Sequence, residues 1–292
     1  MSPSTRRARR KAPPRPRSSK QALVLRRVRY GETSLVADVL TAEHGRVTLL
    51  ARGAYRPTSR FYCVLDWFHR LELTWQDRPG ESLALLDRGD IDRSRRSIPR
   101  ELSRYRAGHS ALELAERISR PGDSGLDLFR RTDGFLEALE DPDARPADLL
   151  ARYDLGLLEE LGLAPALDAC ARCGRRAPAP GAGPAGSAFS ASAGGRLCPT
   201  CSPEVRAEGQ RVGTLPAAVL ERAHALACGS QAPPDAAQER ALGQFLERFL
   251  VHHLESGLES RGTALPGSPP ESPGSGLASA GSGADSGALP ST

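Results

Sequence analysis

Between positions 21 and 98 the apolar residues fall in short runs broken by turn-forming residues, and beyond position 99 they recur every three or four residues. The first spacing is that of strands and the second that of amphipathic helices. Leu23, Val24, Leu25 and Val28 make a first run that ends at the turn Tyr30-Gly31-Glu32. A second run over 34–40 leads into Glu43-His44-Gly45, where Gly45 can take the positive φ of a hairpin bend, and a third covers 47–51. Leu65, Trp67, His69, Leu71, Leu73 and Trp75 then alternate with Asp66, Arg70, Glu72, Thr74 and Gln76. That period of two predicts one long strand with a single buried face, placing Trp67 and Trp75 in the core. Residues 83–86 supply a fifth strand. Five short strands, all expected to be antiparallel, fit a small closed barrel of the OB-fold type over 21–98.

Helical faces follow. Leu102, Tyr105, Ala111, Leu112, Leu114, Ala115 and Ile118 share one side, as do Leu126, Phe129, Phe135, Leu136 and Leu139, and then Leu149, Leu150, Tyr153, Leu157, Leu158 and Leu161. Helices are expected again over 215–227 and 236–258, the latter with Leu242, Phe245, Leu246, Phe249, Leu250, His253, Leu254 and Leu258 at helical spacing. His252 and His253 lack metal-ligand companions at suitable spacing, which gives them a helix-end or core role. The predicted architecture is α+β and multidomain: an OB-fold barrel, then an α-helical domain over 99–166 and 214–262. A cysteine-bearing module over 167–213 is inserted in that domain.

Cys170, Cys173, Cys198 and Cys201 form two Cys-x-x-Cys knuckles. Each knuckle brings two thiolates together from one tight turn, and two of them close a tetrahedral Zn2+ shell with no place left for water or substrate. Such a zinc ion holds structure. Two disulfides would need an oxidising compartment, and the charged N-terminus shows no apolar leader. A thioredoxin-like redox pair would need a strand-to-helix context, whereas Cys170 follows a Leu-Gly-Leu-Ala-Pro helix exit. Cys63 and Cys228 lie in apolar runs and read as small buried hydrophobes.

Charge is unevenly spread. Residues 1–110 hold 24 Lys or Arg against 11 Asp or Glu, and the remainder 16 against 24. The front third should therefore attract polyanions and the rest repel them. Lys11 and Lys20 are the only lysines. Guanidinium suits bidentate phosphate contact and stacking on bases, although a compositional bias toward arginine would account for the residue choice without the asymmetry. Residues 1–20, basic and proline-rich, read as a disordered arm, and the Gly/Ser/Pro-rich 263–292 as a disordered tail. No apolar run approaches the roughly 20 residues that span a bilayer, so no membrane partner is expected and a cytoplasmic location is.

No P-loop, Gly-x-Ser-x-Gly elbow or dinucleotide fingerprint is present. A zinc deaminase would place His-x-Glu ahead of Pro-Cys-x-x-Cys, whereas here His253-Leu254-Glu255 follows the cysteines. The expectation is a protein that is not an enzyme: a nucleic-acid binder, or alternatively a zinc-ribbon adaptor that docks proteins without touching DNA.

Several motifs resemble one family in order and spacing. They are Tyr30-Gly31-Glu32, Thr41-x-Glu43-His44-Gly45, Ala51-Arg52-Gly53-Ala54 and Arg56-Pro57-x-Ser59-Arg60-Phe61. Further on come Leu158-x-x-Leu161-Gly162-x-x-Pro165, Cys170-x-x-Cys173-Gly174, Ala188-Phe189-Ser190, Gly194-Gly195-x-Leu197-Cys198-x-x-Cys201 and Ser260-Arg261. Together they are similar to the RecO family of bacterial recombinational DNA repair proteins over about residues 21–262. The resemblance implies an OB-fold, a helical domain and a zinc module in a nucleoid-associated protein that binds single- and double-stranded DNA and anneals complementary strands. It also implies that the protein engages RecR and helps load recombinase onto DNA coated with single-strand DNA-binding protein. The family's basic positions fall on Arg46, Arg52, Arg56 and Arg60. Tyr55 and Thr58 stand where many members are basic, and Tyr55 could stack on a base instead.

Overall fold

A computed structural model of the chain describes residues 16–78, 80, 82–176, 186–227 and 235–254. The expected basic arm up to residue 15, the centre of the loop between the cysteine knuckles, Cys228, Leu258, Ser260-Arg261 and the tail 263–292 lie outside these residues.

Strands β1 (Pro16–Tyr30), β2 (Ser34–Thr41), β3 (Gly45–Ala51), β4 (Arg70–Gln76) and β5 (Ala84–Arg93) close a barrel in the order β1-β2-β3-β5-β4, with β4 pairing back onto β1. Ala22, Val24, Leu35, Ala37, Val39, Leu49, Leu71, Leu73, Trp75 and Leu86 fill its interior. Alternate residues of each strand supply them, as the pleat requires. Gly45 takes φ 62, and the Thr41 hydroxyl donates to the Gly45 carbonyl at 2.9 Å while accepting from the His44 N–H at 3.0 Å, fixing the β2–β3 turn.

Three expectations for this region need correction. First, β1 starts at Pro16, so 16–20 belongs to the barrel and not to the arm; Pro16, Arg17, Ser18 and Ser19 pair with Gln76, Trp75, Thr74 and Leu73. Proline is admissible there because it opens the strand. Second, the barrel is not wholly antiparallel, since β3 and β5 run parallel at Leu49↔Ala84 and Leu50↔Leu85. Third, the long alternating strand begins only at Arg70. Phe68 breaks it with φ 72, a left-handed conformation that bulky residues rarely adopt. Trp75 is fully buried as expected, but Trp67 is half-buried where barrel and helices meet.

A short 3-10 turn, Ile98–Arg100, leads into α1 (Leu102–Ile118), α2 (Leu126–Ala138) and α3 (Pro146–Glu160). After the cysteine module come α5 (Ala217–Ala227) and α6 (Ala236–Leu254). Leu112, Phe129, Leu136, Leu157, Leu226, Leu246, Phe249 and Leu250 from all five helices share one apolar cluster, so the second helical segment packs back on the first. Leu23, Leu25, Leu40 and Phe68 of the barrel region join the same cluster. Strand alternation makes this possible: Ala22 and Val24 face the barrel interior while Leu23 and Leu25 face the helices, and a β-bulge between Val24 and Arg26 then shifts the alternation for the rest of β1. The module itself is a three-stranded sheet, β7-β6-β8, built from β6 (Gly186–Ser190), β7 (Gly195–Leu197) and β8 (Gly213–Pro216), with α4 (Cys201–Ala207) beside it.

Arg95 locks barrel to helices. Its side chain is 0% exposed; it donates to the Phe68 carbonyl at 2.9 Å, to Asp133 Oδ1 at 2.7 Å and to Glu137 Oε2 at 3.1 Å. Its backbone N–H donates to His69 Nδ1 at 3.0 Å. On the other side of the joint, the β2–β3 turn presses Gly45 so close to the α1–α2 connection that a Cβ there would meet the Asp123 carbonyl oxygen at 2.2 Å.

Candidate functional site

The four arginines singled out in the sequence divide into two kinds. Arg46, half-buried on β3, donates to the Glu116 carbonyl at 3.1 Å near the end of α1. That bond satisfies one of the carbonyls a helix C-terminus leaves unpaired. Arg52 and Arg56 are exposed on the turns that leave β3, and the Arg56 stem folds over Gly53, which takes φ 67. Arg60, also exposed, donates to the Asp87 carbonyl at 2.7 Å and sits 5.3 Å from the Phe61 ring centroid. Arg52, Arg56 and Arg60 thus lie on one connecting segment, while Arg46 belongs to the barrel–helix contact.

Beside these arginines the outer face of β2 and β3 is partly acidic. Thr48 donates to Asp38 at 2.5 Å, and Arg26 of β1 lies 3.8 Å from Glu116. Burial raises the Glu116 carboxyl above its ordinary value against the pull of Arg26. Arg26 and Arg46 share this face with Asp38, so it carries charge of both signs.

An aromatic cluster lies against the 52–62 segment. After the bulge, Arg27 and Arg29 take the face of β1 shared with Leu35 and Ala37, which points toward the segment covering the barrel mouth. Arg27 lies 4.7 Å from the Trp67 centroid and pairs with Asp66. Arg29 lies 5.4 Å from the Tyr55 centroid, and Tyr55 meets the edge of Tyr62 at 6.0 Å. The Tyr55 N–H donates to the Thr33 carbonyl at 2.8 Å, tying the segment to the β1–β2 turn. The sequence pointed to Tyr55 but not to Arg29 or Tyr62, because only the bulge reveals which face of β1 Arg29 occupies. Cys63, next in sequence, is exposed rather than a buried hydrophobe.

The four module cysteines converge as predicted, their sulfur atoms all within 4.8 Å of one another, and all four are free thiols. Cys173 and Cys198 are 3.8 Å apart at sulfur. Metal–sulfur bonds of about 2.3 Å in a tetrahedron give sulfur–sulfur edges of about 3.8 Å, so the residues fit a metal ion. Local chemistry agrees. Burial opposes charge on Cys170, yet backbone N–H groups of Cys173 and Cys198 aimed at its sulfur bring the thiol down to about 6; the Cys198 N–H donates at 3.3 Å. Cys201 moves the other way, to about 12, because its proton is shared with Cys198 and burial disfavours its thiolate, the remaining sulfurs adding to the effect. Four thiolates cannot coexist there without a cation. Gly195 anchors the module to the helical body: a Cβ on it would meet the Ala166 carbonyl oxygen at 2.5 Å, and the Arg196 N–H donates to that same oxygen at 2.8 Å.

The imidazole of His253 lies 4.4 Å from the Phe249 ring, in the helix-end and core role expected of it. No helix among the described residues is long and apolar enough to cross a membrane.

A five-stranded OB barrel, a helical body sharing its core and a four-cysteine module inserted between helices define the class of this protein. Comparison with known proteins narrows it. The family described as "Recombination protein O N terminal" matches residues 17–95, and "Recombination protein O C terminal" matches 99–262. The DNA repair protein RecO of Anaeromyxobacter dehalogenans is 37% identical over 84% of this chain and 94% of its own length. That of Myxococcus xanthus is 33% identical over 82% and 93%. The chain belongs to the RecO family of DNA repair proteins.

Proposed function

We propose that this protein is a DNA-binding recombination mediator. It binds single- and double-stranded DNA, anneals complementary strands and, with RecR, helps load recombinase onto strands coated by single-strand DNA-binding protein. The observation that carries the reading is the exposed arginine segment at the β3 exit, Arg52, Arg56 and Arg60, set on an OB barrel in a chain of this family. Neutralising phosphates lowers the repulsion between two strands, and a surface that holds backbone alone leaves the bases free to pair. No acid, base or nucleophile is required, and the protein acts without catalysing a covalent step. Arg46 contributes charge from the rim with one donor committed to α1. The cysteine module holds one structural Zn2+ through Cys170, Cys173, Cys198 and Cys201, and the ion's binding energy stabilises the fold around it. The place of action is the bacterial cytoplasm, at the nucleoid.

The test is annealing of complementary oligonucleotides precoated with single-strand DNA-binding protein. Faster pairing with added protein supports the reading, and a rate equal to the protein-free control defeats it.

A further inference from the structure

We infer that Tyr62 is a base-stacking platform that gives this protein a preference for unpaired over paired DNA, a reading that rests on the proposed DNA binding. Tyr62 is 56% exposed, yet its ring is held: one edge meets Tyr55 at 6.0 Å with the two planes 67° apart. Tyr55 is fixed in turn by the Arg29 guanidinium 5.4 Å from its centroid and by its own N–H bonded to the Thr33 carbonyl. Arg29 is held through a 3.0 Å bond to the Glu32 carbonyl. A large aromatic surface is thereby presented to solvent at little further entropic cost on binding.

The surroundings suit one ligand chemistry. Arg52, Arg56 and Arg60 are exposed on the same segment and supply positive charge within ten residues of Tyr62, whereas on the outer face of β2 and β3 Arg26 and Arg46 are offset by Asp38 and the neighbouring Glu116. A polyanion following these uncompensated arginines is led along the segment that carries Tyr62. An unpaired base can splay and stack on the ring, whereas a base in duplex already has both faces covered by its neighbours. The tyrosine therefore adds to single-strand affinity alone. Every base has a π face, so the contact is indifferent to sequence, as an annealing protein requires.

Tyr30 is an internal control. It is 57% exposed but occupies the opposite face of β1 from Arg29, paired with Ser34 on the outer side.

The experiment compares wild type, Tyr62→Ala, Tyr62→Trp and Tyr30→Ala in binding a fluorescent mixed-sequence single strand and the matching duplex, with thermal unfolding of each variant recorded. Tyr62→Ala should lose about tenfold in single-strand affinity with duplex affinity and salt slope unchanged, because stacking releases no counterions. Tyr62→Trp should restore binding, and Tyr30→Ala should match wild type. Equal loss on duplex, no loss on single strand, failure of tryptophan to rescue or equal loss from Tyr30→Ala would each overturn the assignment. Wild-type protein that binds neither ligand would instead remove the DNA-binding reading beneath it.

Discussion

The ring of Phe68 lies directly against the backbone of Gly108. A Cβ added at Gly108 would stand 2.6 Å from Cε1 of that ring. Phe68 holds φ 72 to reach this place, and its ring is fenced by Tyr105 at 5.8 Å and His109 at 5.1 Å. The strained residue is thus what plugs the barrel into α1. Because the ring has neighbours on several sides, it cannot retreat. Gly108→Ala should cost about 1–3 kcal/mol of stability, read as a lower urea midpoint with an unchanged slope.

Arg95 joins the same interface by charge. Arg95→Met removes the donor to Asp133 and to the Phe68 carbonyl and leaves both in a largely buried place. Breaking such a pair from one side costs about 3–5 kcal/mol. Asp133 keeps Arg70 at 3.1 Å, so chemical denaturation should show a loss toward the lower end of that range.

Acid should loosen this joint. Burial depresses the imidazoles of both His69 and His109 below their ordinary 6.5, against smaller opposing pulls from Asp66 on both and Glu113 on His109. The folded state thus prefers both rings neutral, while the unfolded chain takes up protons at the ordinary value. Their contribution is complete above 6.5 and is lost as pH falls through 6.5 toward the depressed folded values. The urea midpoint should drop between about pH 7.5 and about pH 5.5. His109→Leu should shrink that drop, since Nε2 of His109 is buried without a partner.

Metal content tests the four-thiol centre. Purified protein should carry about one zinc ion per chain by elemental analysis. Cys198→Ser should lower that content and open the β6–β8 region to proteolysis, whereas Cys63→Ser, altering an exposed thiol away from the cluster, should leave both unchanged.

Much of this was legible in the chain. Period-two and helical apolar spacing located all five barrel strands and the five long helices, and knuckle spacing alone picked out the four cysteines that converge. What escaped was decided by tertiary contact. The parallel β3–β5 pairing spans only two residue pairs and leaves no mark on the sequence of either strand. Pro16 and Arg17 look like a tail, and only β4 makes them strand. The alternation from Leu65 to Gln76 carries no sign that Phe68 leaves the strand to meet a glycine forty residues on. Arg46 reads as one more basic residue, yet the end of α1 claims one of its donors. Leu215 reads as part of a helix, yet β8 pairs it with Ser187.

The central claim is that the arginines of the β3 strand and its exit grip nucleic-acid backbone. Titration of a labelled single strand against wild type and an Arg46→Glu, Arg52→Glu, Arg56→Glu variant, across a range of salt, tests it most directly. The account predicts weaker binding for every sequence and a log–log salt slope shallower by about two units, as three lost phosphate contacts require. Equal affinity and equal slope in the two proteins would contradict it.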